Sequence, residues 1–435
     1  MSARPCIAER VGVARRYVRS IDVRRDLDDP AALDGYVPTP TVDDTLHRLL
    51  RGLADGSTHR AFRITGPYGA GKSAFLLFLA RLFQERREPS AATVLLAMRC
   101  PDRLSDLAAT RAYEPLVVIG RRAPVADLIL EALAHKVDGW RAPGRRPAVA
   151  DVVLRLQAER REGRRDDSAV LDALREFARY VDRSHDGRGG VLLLIDEMGR
   201  CLEHAASREG GNDTSVFQAL GEMAAGTGDA PVAVVGVLHQ RFAEYASALG
   251  NGSRADWARS AERFEDLPFQ ESLEQVSFLL AEAIKVVGSG HDQCVTEAAG
   301  ALYREAADLG LFPGRSAEIA SLGPRLYPMH PAAVVALSAM ARRFGQNERS
   351  AVGFLQSFEP GGFRDYAAET PYGPDSWYGL ANLFDHVATR GEGGPRDGLQ
   401  ARRWRLLTDT LTAHRDLPPI EAAVLKCVGL LSVLD

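Results

Sequence analysis

The sequence predicts an α/β fold, a parallel sheet sandwiched between helices and followed by a helical domain, on three observations. Residues 61–65 read as a short strand, the run Gly66-Pro67-Tyr68-Gly69-Ala70-Gly71-Lys72-Ser73 follows it, and residues 73–83 carry apolar side chains at helical spacing. Gly190–Ile195 is a continuous apolar run, the pattern of a strand buried on both faces of a parallel sheet, and it ends in Asp196-Glu197. Between residues 61 and 269 strands and helices alternate, as in βαβ units.

Taken in order, residues 1–60 form an N-terminal segment containing Tyr36-Val37-Pro38 and a helix at 42–54. The core, 61–269, has strands at 61–65, 93–98, 115–120, 190–195, 232–238 and 264–269, and helices at 71–86, 124–138 and 215–225. Residues 139–188, bounded by Pro- and Gly-rich turns, read as an insertion with helices at 149–162 and 168–183. From 270 to 400 the pattern is helical and lid-like, at 271–287, 293–309, 315–322, 331–343 and 349–357. Residues 401–435 begin a further helical or winged-helix domain, with helices at 402–414 and 419–433. Their apolar face of Ile420, Val424, Leu425, Val428, Leu431 and Leu434 anticipates a missing partner, as in a truncated chain.

Composition narrows the class. With 46% hydrophobic and 26% charged residues the chain is globular, and no apolar run approaches the roughly eighteen residues that span a bilayer. The N-terminus lacks an apolar signal core, so no membrane partner and a cytoplasmic location are expected. Five scattered cysteines without a C-x-x-C point to buried thiols rather than zinc or disulfides. A net charge of −4 gives no general pull toward DNA. Only four lysines stand against fifty arginines, and the cluster at 155–165, interleaved with Glu159, Glu162 and Asp166, reads as a solvated helical face.

The glycine run is a phosphate-binding loop. Gly66, Gly69 and Gly71 let backbone N–H groups converge on a phosphate, and the following helix N-terminus favours the anion. Lys72 is expected to reach the β- and γ-phosphates and the Ser73 hydroxyl to ligate Mg²⁺. Asp196 is the expected metal-side acid and Glu197 the general base that polarises the attacking water. That second acid, with no N-K-x-D motif, favours an ATP hydrolase of the additional-strand class over a GTPase, with ATP and Mg²⁺ as cofactors. The strand 232–238 ends in His239-Gln240, either of which is a candidate sensor of the γ-phosphate. Arg263 precedes a short edge strand, where ring-forming ATPases place an arginine that reaches a neighbour's nucleotide.

These motifs, with Met329-His330-Pro331 and Phe344-Gly-Gln-Asn-Glu-Arg-Ser350, appear in the order found in large prokaryotic P-loop ATPases of the AAA+/STAND kind. The chain resembles those of anti-phage defence loci, the BrxC- and PglY-like ATPases of BREX systems, over residues 15–435. The resemblance implies that the segment Tyr36–Pro38 lies against adenine, that Arg263 acts in trans in a homo-oligomer, and that other defence proteins are partners. It also places His330 among lid residues that contact nucleotide, although a helix start with Pro331 at its first position reads equally well. The two acidic and phosphate motifs are separated by about 120 residues, more than in a minimal AAA+ module, and Glu262 stands where the family pattern has glycine. A slow STAND-type nucleotide switch and an initiator-like DNA-binding ATPase are the alternative functions.

Overall fold

A computed structural model describes residues 5–14, 21–84, 91–138, 147–207, 213–226, 230–240, 242–245, 258, 261–288, 290–312, 316–343, 354–356, 358–389 and 398–434. Its strands are β1 (Val11–Val13), β2 (Ala61–Thr65), β3 (Ala112–Ile119), β4 (Gly189–Asp196), β5 (Val232–Leu238), β6 (Glu265–Pro268) and β7 (Ile284–Val286). The chain divides into two units. One holds residues 21–66 and 71–269, and the other holds residues 1–20, 67–70 and 270–435.

The first unit is built on a five-stranded sheet in the order β3-β4-β5-β2-β6, with every neighbouring pair parallel. Its interior strand β4 has Val191, Leu192, Leu193, Leu194 and Ile195 all at 0% exposure, which is why it reads as an unbroken apolar run. Truncating any of these leucines to alanine costs about 2–5 kcal/mol through lost burial and the cavity left behind. The helix Lys72–Gln84 is apolar on every side because it too is enclosed, with Phe75, Leu76, Leu77, Phe78 and Leu79 fully buried. The helices Ala148–Arg161 and Asp167–Ser184, read as an insertion, contribute Val153, Leu156, Leu174 and Phe177 to one core with Val191, Leu193 and Ile195 of β4. Asp166 starts the second of them by accepting the Ala169 N–H at 2.9 Å.

Thr93–Met98 was expected to be a strand, and the structure makes it the helix Ala91–Arg99. Ala92 and Leu96, four apart, face inward while Val94 and Met98 are exposed. A short apolar run carries no period of its own, and alanine, leucine and methionine are strong helix formers. The arginine cluster also differs from a wholly solvated face. Arg160 is mostly buried and pairs with Asp127 at 3.0 Å and Asp167 at 2.5 Å. Cys100 and Cys201 are buried as expected, but Cys294 is exposed and Cys6 and Cys427 half-buried.

The second unit is helical. Ser272 and Gln275 form a reciprocal capping box that starts the helix Leu273–Ala283. That helix, expected to run to 287, stops at Ala283, and β7 pairs antiparallel with β1 in the register Val11↔Val286. The N-terminal residues therefore belong to this unit, anchored also by Ile7 N–H donating to Thr370 O at 2.9 Å. Its core includes Tyr303, Tyr327 and Tyr378, each fully buried, with the Tyr303 hydroxyl donating to Met329 O at 2.9 Å. On the helix Pro419–Leu434 the side chains of Leu430, Val433 and Leu434 are buried while Ile420, Val424, Val428 and Leu431 are exposed. The motif at 344–350 and most of the helix expected at 349–357 lie outside the described residues.

Candidate functional site

Strand register assembles the candidate site. Thr65 at the end of β2 pairs with Leu238 at the end of β5, and Ile195 near the end of β4 pairs with Gly236 two residues earlier on β5. The carboxyl ends of all three strands are therefore level, and neighbouring strands lie about 4.8 Å apart. Ligands of open parallel sheets bind at such a row of carboxyl ends, where the chain reverses the order in which strands are added.

The glycine loop leaves β2 here. The Gly66 N–H donates to Leu238 O at 3.2 Å, and the Phe75 N–H donates to Gly71 O at 2.9 Å as the helix begins. Gly69 and Gly71 take φ of 72° and 89°, a region open to glycine and strained for side chains. Within the loop tip, the Ala70 N–H donates to Pro67 O at 3.4 Å, and Tyr68 is half-buried.

Lys72 is 4% exposed and its Nζ donates to Gly66 O at 2.7 Å. Burial pushes its amine down to about 8, against the opposing pull of Asp196 and Glu197. The Ser73 hydroxyl donates to Asp196 Oδ1 at 3.2 Å, and the Glu197 N–H donates to the same oxygen at 3.0 Å. Burial raises the Asp196 carboxyl above its usual range, although Ser73, the Glu197 N–H and Lys72 all favour its charge. The lysine and the acid are thus both displaced toward neutrality by desolvation. A ligand bringing an anion to Lys72 and a cation to Asp196 would restore both charges. Ser73 and Asp196 form an adjacent hydroxyl and carboxylate, the hard oxygen donors that Mg²⁺ takes alongside phosphates and water. The residues fit a magnesium–triphosphate ligand.

Glu197 follows β4 with φ 52° and ψ 37°, one of two non-glycine residues with positive φ among those described. Its Oε2 accepts from Arg200 Nε at 2.8 Å. His239 stands at the end of β5, between the loop and the acids. Burial, then Lys72 and Arg200, pushes its imidazole down to about 3, so it is neutral at any physiological pH. Gln240 follows it, half-buried.

The remaining expected residues make other contacts. The Tyr36 ring packs on Phe78 of the helix leaving the loop at 5.2 Å between centroids, and Pro38 is buried beside it in sequence. Arg263 is exposed and pairs with Glu222 at 2.9 Å. His330 belongs to the helical unit, where its Nδ1 accepts the Ala332 N–H at 3.2 Å, the geometry of a helix cap before Pro331. Burial lowers its pKa. Sequence reasoning missed Arg200. Its signal was the spacing of three from Glu197, the reach of an ion pair along a helix, hidden among fifty arginines.

The strand order, the loop after β2 and the acids ending β4 with β5 between them define a P-loop NTPase fold of the additional-strand, AAA+-like class, followed by a helical domain. No protein-family profile and no curated protein matches the chain. Among solved structures it is similar to the Aeropyrum pernix ORC2 protein in ADPNP and ADP complexes, with 16% identity over 94% of this chain and 89% of that one and a TM-score of 0.36. A superposition that loose carries no weight for fold or function, and the class rests on topology and the site. No helix among the described residues is long and apolar enough to cross a membrane.

Proposed function

We propose that the chain is a Mg²⁺-dependent ATP-binding and ATP-hydrolysing module that couples nucleotide state to assembly or remodelling of a multi-protein complex in prokaryotic anti-phage defence. The observation that carries the hydrolytic half is the row of level strand ends bringing Lys72 and Ser73, His239, and Asp196 and Glu197 into one cluster with Lys72 and Asp196 buried. The defence setting is supported by the sequence resemblance to BrxC- and PglY-like ATPases.

In this reading the loop N–H groups and Lys72 hold the triphosphate, and Ser73 and Asp196 hold Mg²⁺. When bound, that ion neutralises charge on the β- and γ-phosphates. Glu197 accepts a proton from the attacking water, and neutral His239 offers a ring nitrogen to orient that water or the γ-phosphate without adding charge. Phosphoryl transfer asks little covalent chemistry of the protein, so alignment of these groups supplies most of the rate. Arg263 reaches a neighbouring copy's nucleotide, and Tyr36 and Pro38 lie on the adenine side.

Phosphate release from ATP, measured for wild type and Glu197→Gln with and without candidate partner proteins, tests the reading. Wild-type turnover with a variant that binds ATP but hydrolyses it at least about a hundredfold more slowly supports it. Equal rates in the two proteins, or no binding of Mg·ATP by wild type, would sink it. Mass in solution with ATP and with ADP then tests coupling to assembly.

A further inference from the structure

Arg200 stands in the first turn of the helix Met198–Ala206, and its Nε meets Glu197 Oε2 at 2.8 Å. Glu197 occupies the N-cap position of that helix, yet its side chain caps no helical N–H. The acid instead lies along its own helix toward Arg200. The backbone that aims it is fixed from β3. The Gly120 N–H donates to Asp196 O at 2.7 Å, and a Cβ on Gly120 would come within 2.2 Å of the Glu197 carbonyl oxygen. Only a glycine lets the left-handed turn at Glu197 settle this closely on the neighbouring strand's end.

With the backbone set, the direction of the Glu197 carboxylate depends on its side chain, whose terminal torsion has a broad, two-fold preference and selects no orientation by itself. A charge-assisted bond from a guanidinium nitrogen does select one. Arg200 also makes its charge felt at His239, the residue that follows β5. We infer that Arg200 is a positioning residue for the water-activating carboxylate, holding Glu197 in the orientation from which it takes the proton. A base oriented by a third group is the general architecture of activated nucleophiles. The inference rests on the hydrolytic reading above and adds to it a cis-acting arginine on the same turn as the acid, separate from the trans role assigned to Arg263.

The experiment compares wild type, Arg200→Gln, Arg200→Lys, Glu197→Gln and the Glu197→Gln/Arg200→Gln double variant for kcat and KM, and for the Kd of a fluorescent ATP analogue with Mg²⁺. Arg200 is exposed, so its variants are expected to fold, and circular dichroism checks this. A misplaced catalytic group loses roughly ten- to a hundredfold in rate, so Arg200→Gln should lower kcat by that factor with Kd unchanged. Arg200→Lys should regain part of the loss, and Arg200→Gln should add nothing in the Glu197→Gln background. Raised or unchanged kcat in Arg200→Gln overturns the inference, as does a multiplicative loss in the double variant. A weakened Kd matching the fall in kcat overturns it in favour of direct phosphate contact. Failure of the hydrolytic reading looks different: wild type itself then neither binds nor turns over ATP, or Glu197→Gln matches it.

Discussion

Replacing Lys72 with methionine should make the empty protein more stable and the nucleotide-loaded protein less so, an inversion that separates a binding lysine from a structural one. The ammonium is 4% exposed and burial brings it from an ordinary 10.5 to about 8. Keeping it charged at pH 7 therefore costs the fold about 3 kcal/mol. Methionine has a similar shape and removes that cost, but it leaves the Gly66 carbonyl without its donor at 2.7 Å, which returns about 1–3 kcal/mol. The net gain is about 1 kcal/mol, or roughly 2–4 °C in Tm for a unit of this size. Saturating Mg·ATP at a hundred times Kd stabilises wild type by about 2.7 kcal/mol. Losing a charge-assisted phosphate contact costs about 2–5 kcal/mol, so Kd for the variant should rise at least about thirtyfold and the nucleotide stabilisation should fall below about 1 kcal/mol. Thermal unfolding of both proteins with and without Mg·ATP measures all four states. The pH dependence has a definite sign. Between about 8 and 10.5 the unfolded chain holds a proton that the folded chain has released, so wild-type stability rises with pH there and that of Lys72→Met lacks this rise. A variant that is markedly less stable when empty yet binds Mg·ATP like wild type would refute the reasoning.

Other outcomes can be checked with the same tools. His239→Gln should lose less stability than wild type as pH falls below about 6.5 in urea titrations, because the unfolded histidine takes up a proton that the folded one refuses until about 3. Arg263→Ala should alter stability by less than about 1 kcal/mol, its ion pair with Glu222 being exposed, while mixing it with inactive Lys72→Ala should restore turnover if it acts on a neighbour's nucleotide. Tyr303→Phe should destabilise the helical unit by about 1–3 kcal/mol, read from two-probe denaturation, since the Met329 carbonyl then loses its buried donor.

What the sequence made legible follows burial and period. β4 and β5 are enclosed on both faces, so their unbroken apolar runs identify them, and the polar residue that ends each is placed at the site by parallel pairing. The helix Lys72–Gln84 was equally plain because the loop before it allows one geometry. Thr93–Met98 misled because five apolar residues in a row after a threonine, without a period, fit a strand or a buried helix alike. β1 and β7 are three residues each, too short to alternate, and each is joined directly to a helix, so their pairing across some 270 residues leaves no local trace. The Gly120 contact depends on where one strand end meets another, and no spacing within either segment records that. The Arg200 pair left only its spacing of three from Glu197, one among fifty arginines.

The order of strands also explains why a neutral histidine sits among charges. Because β5 lies between β2 and β4, whatever follows β5 is placed between the loop lysine after β2 and the acids that end β4. A charged group there would compete with one side or the other. Burial disfavours a second cation there, and Lys72 and then Arg200 add to it, so the imidazole stays neutral and keeps one nitrogen to donate and one to accept. The desolvation that neutralises His239 is the same that lowers Lys72 and raises Asp196. In the proposed reaction a triphosphate with its cation would restore charge to the outer two, and His239 would meet it already neutral, in the state from which it can orient water or phosphate without adding charge.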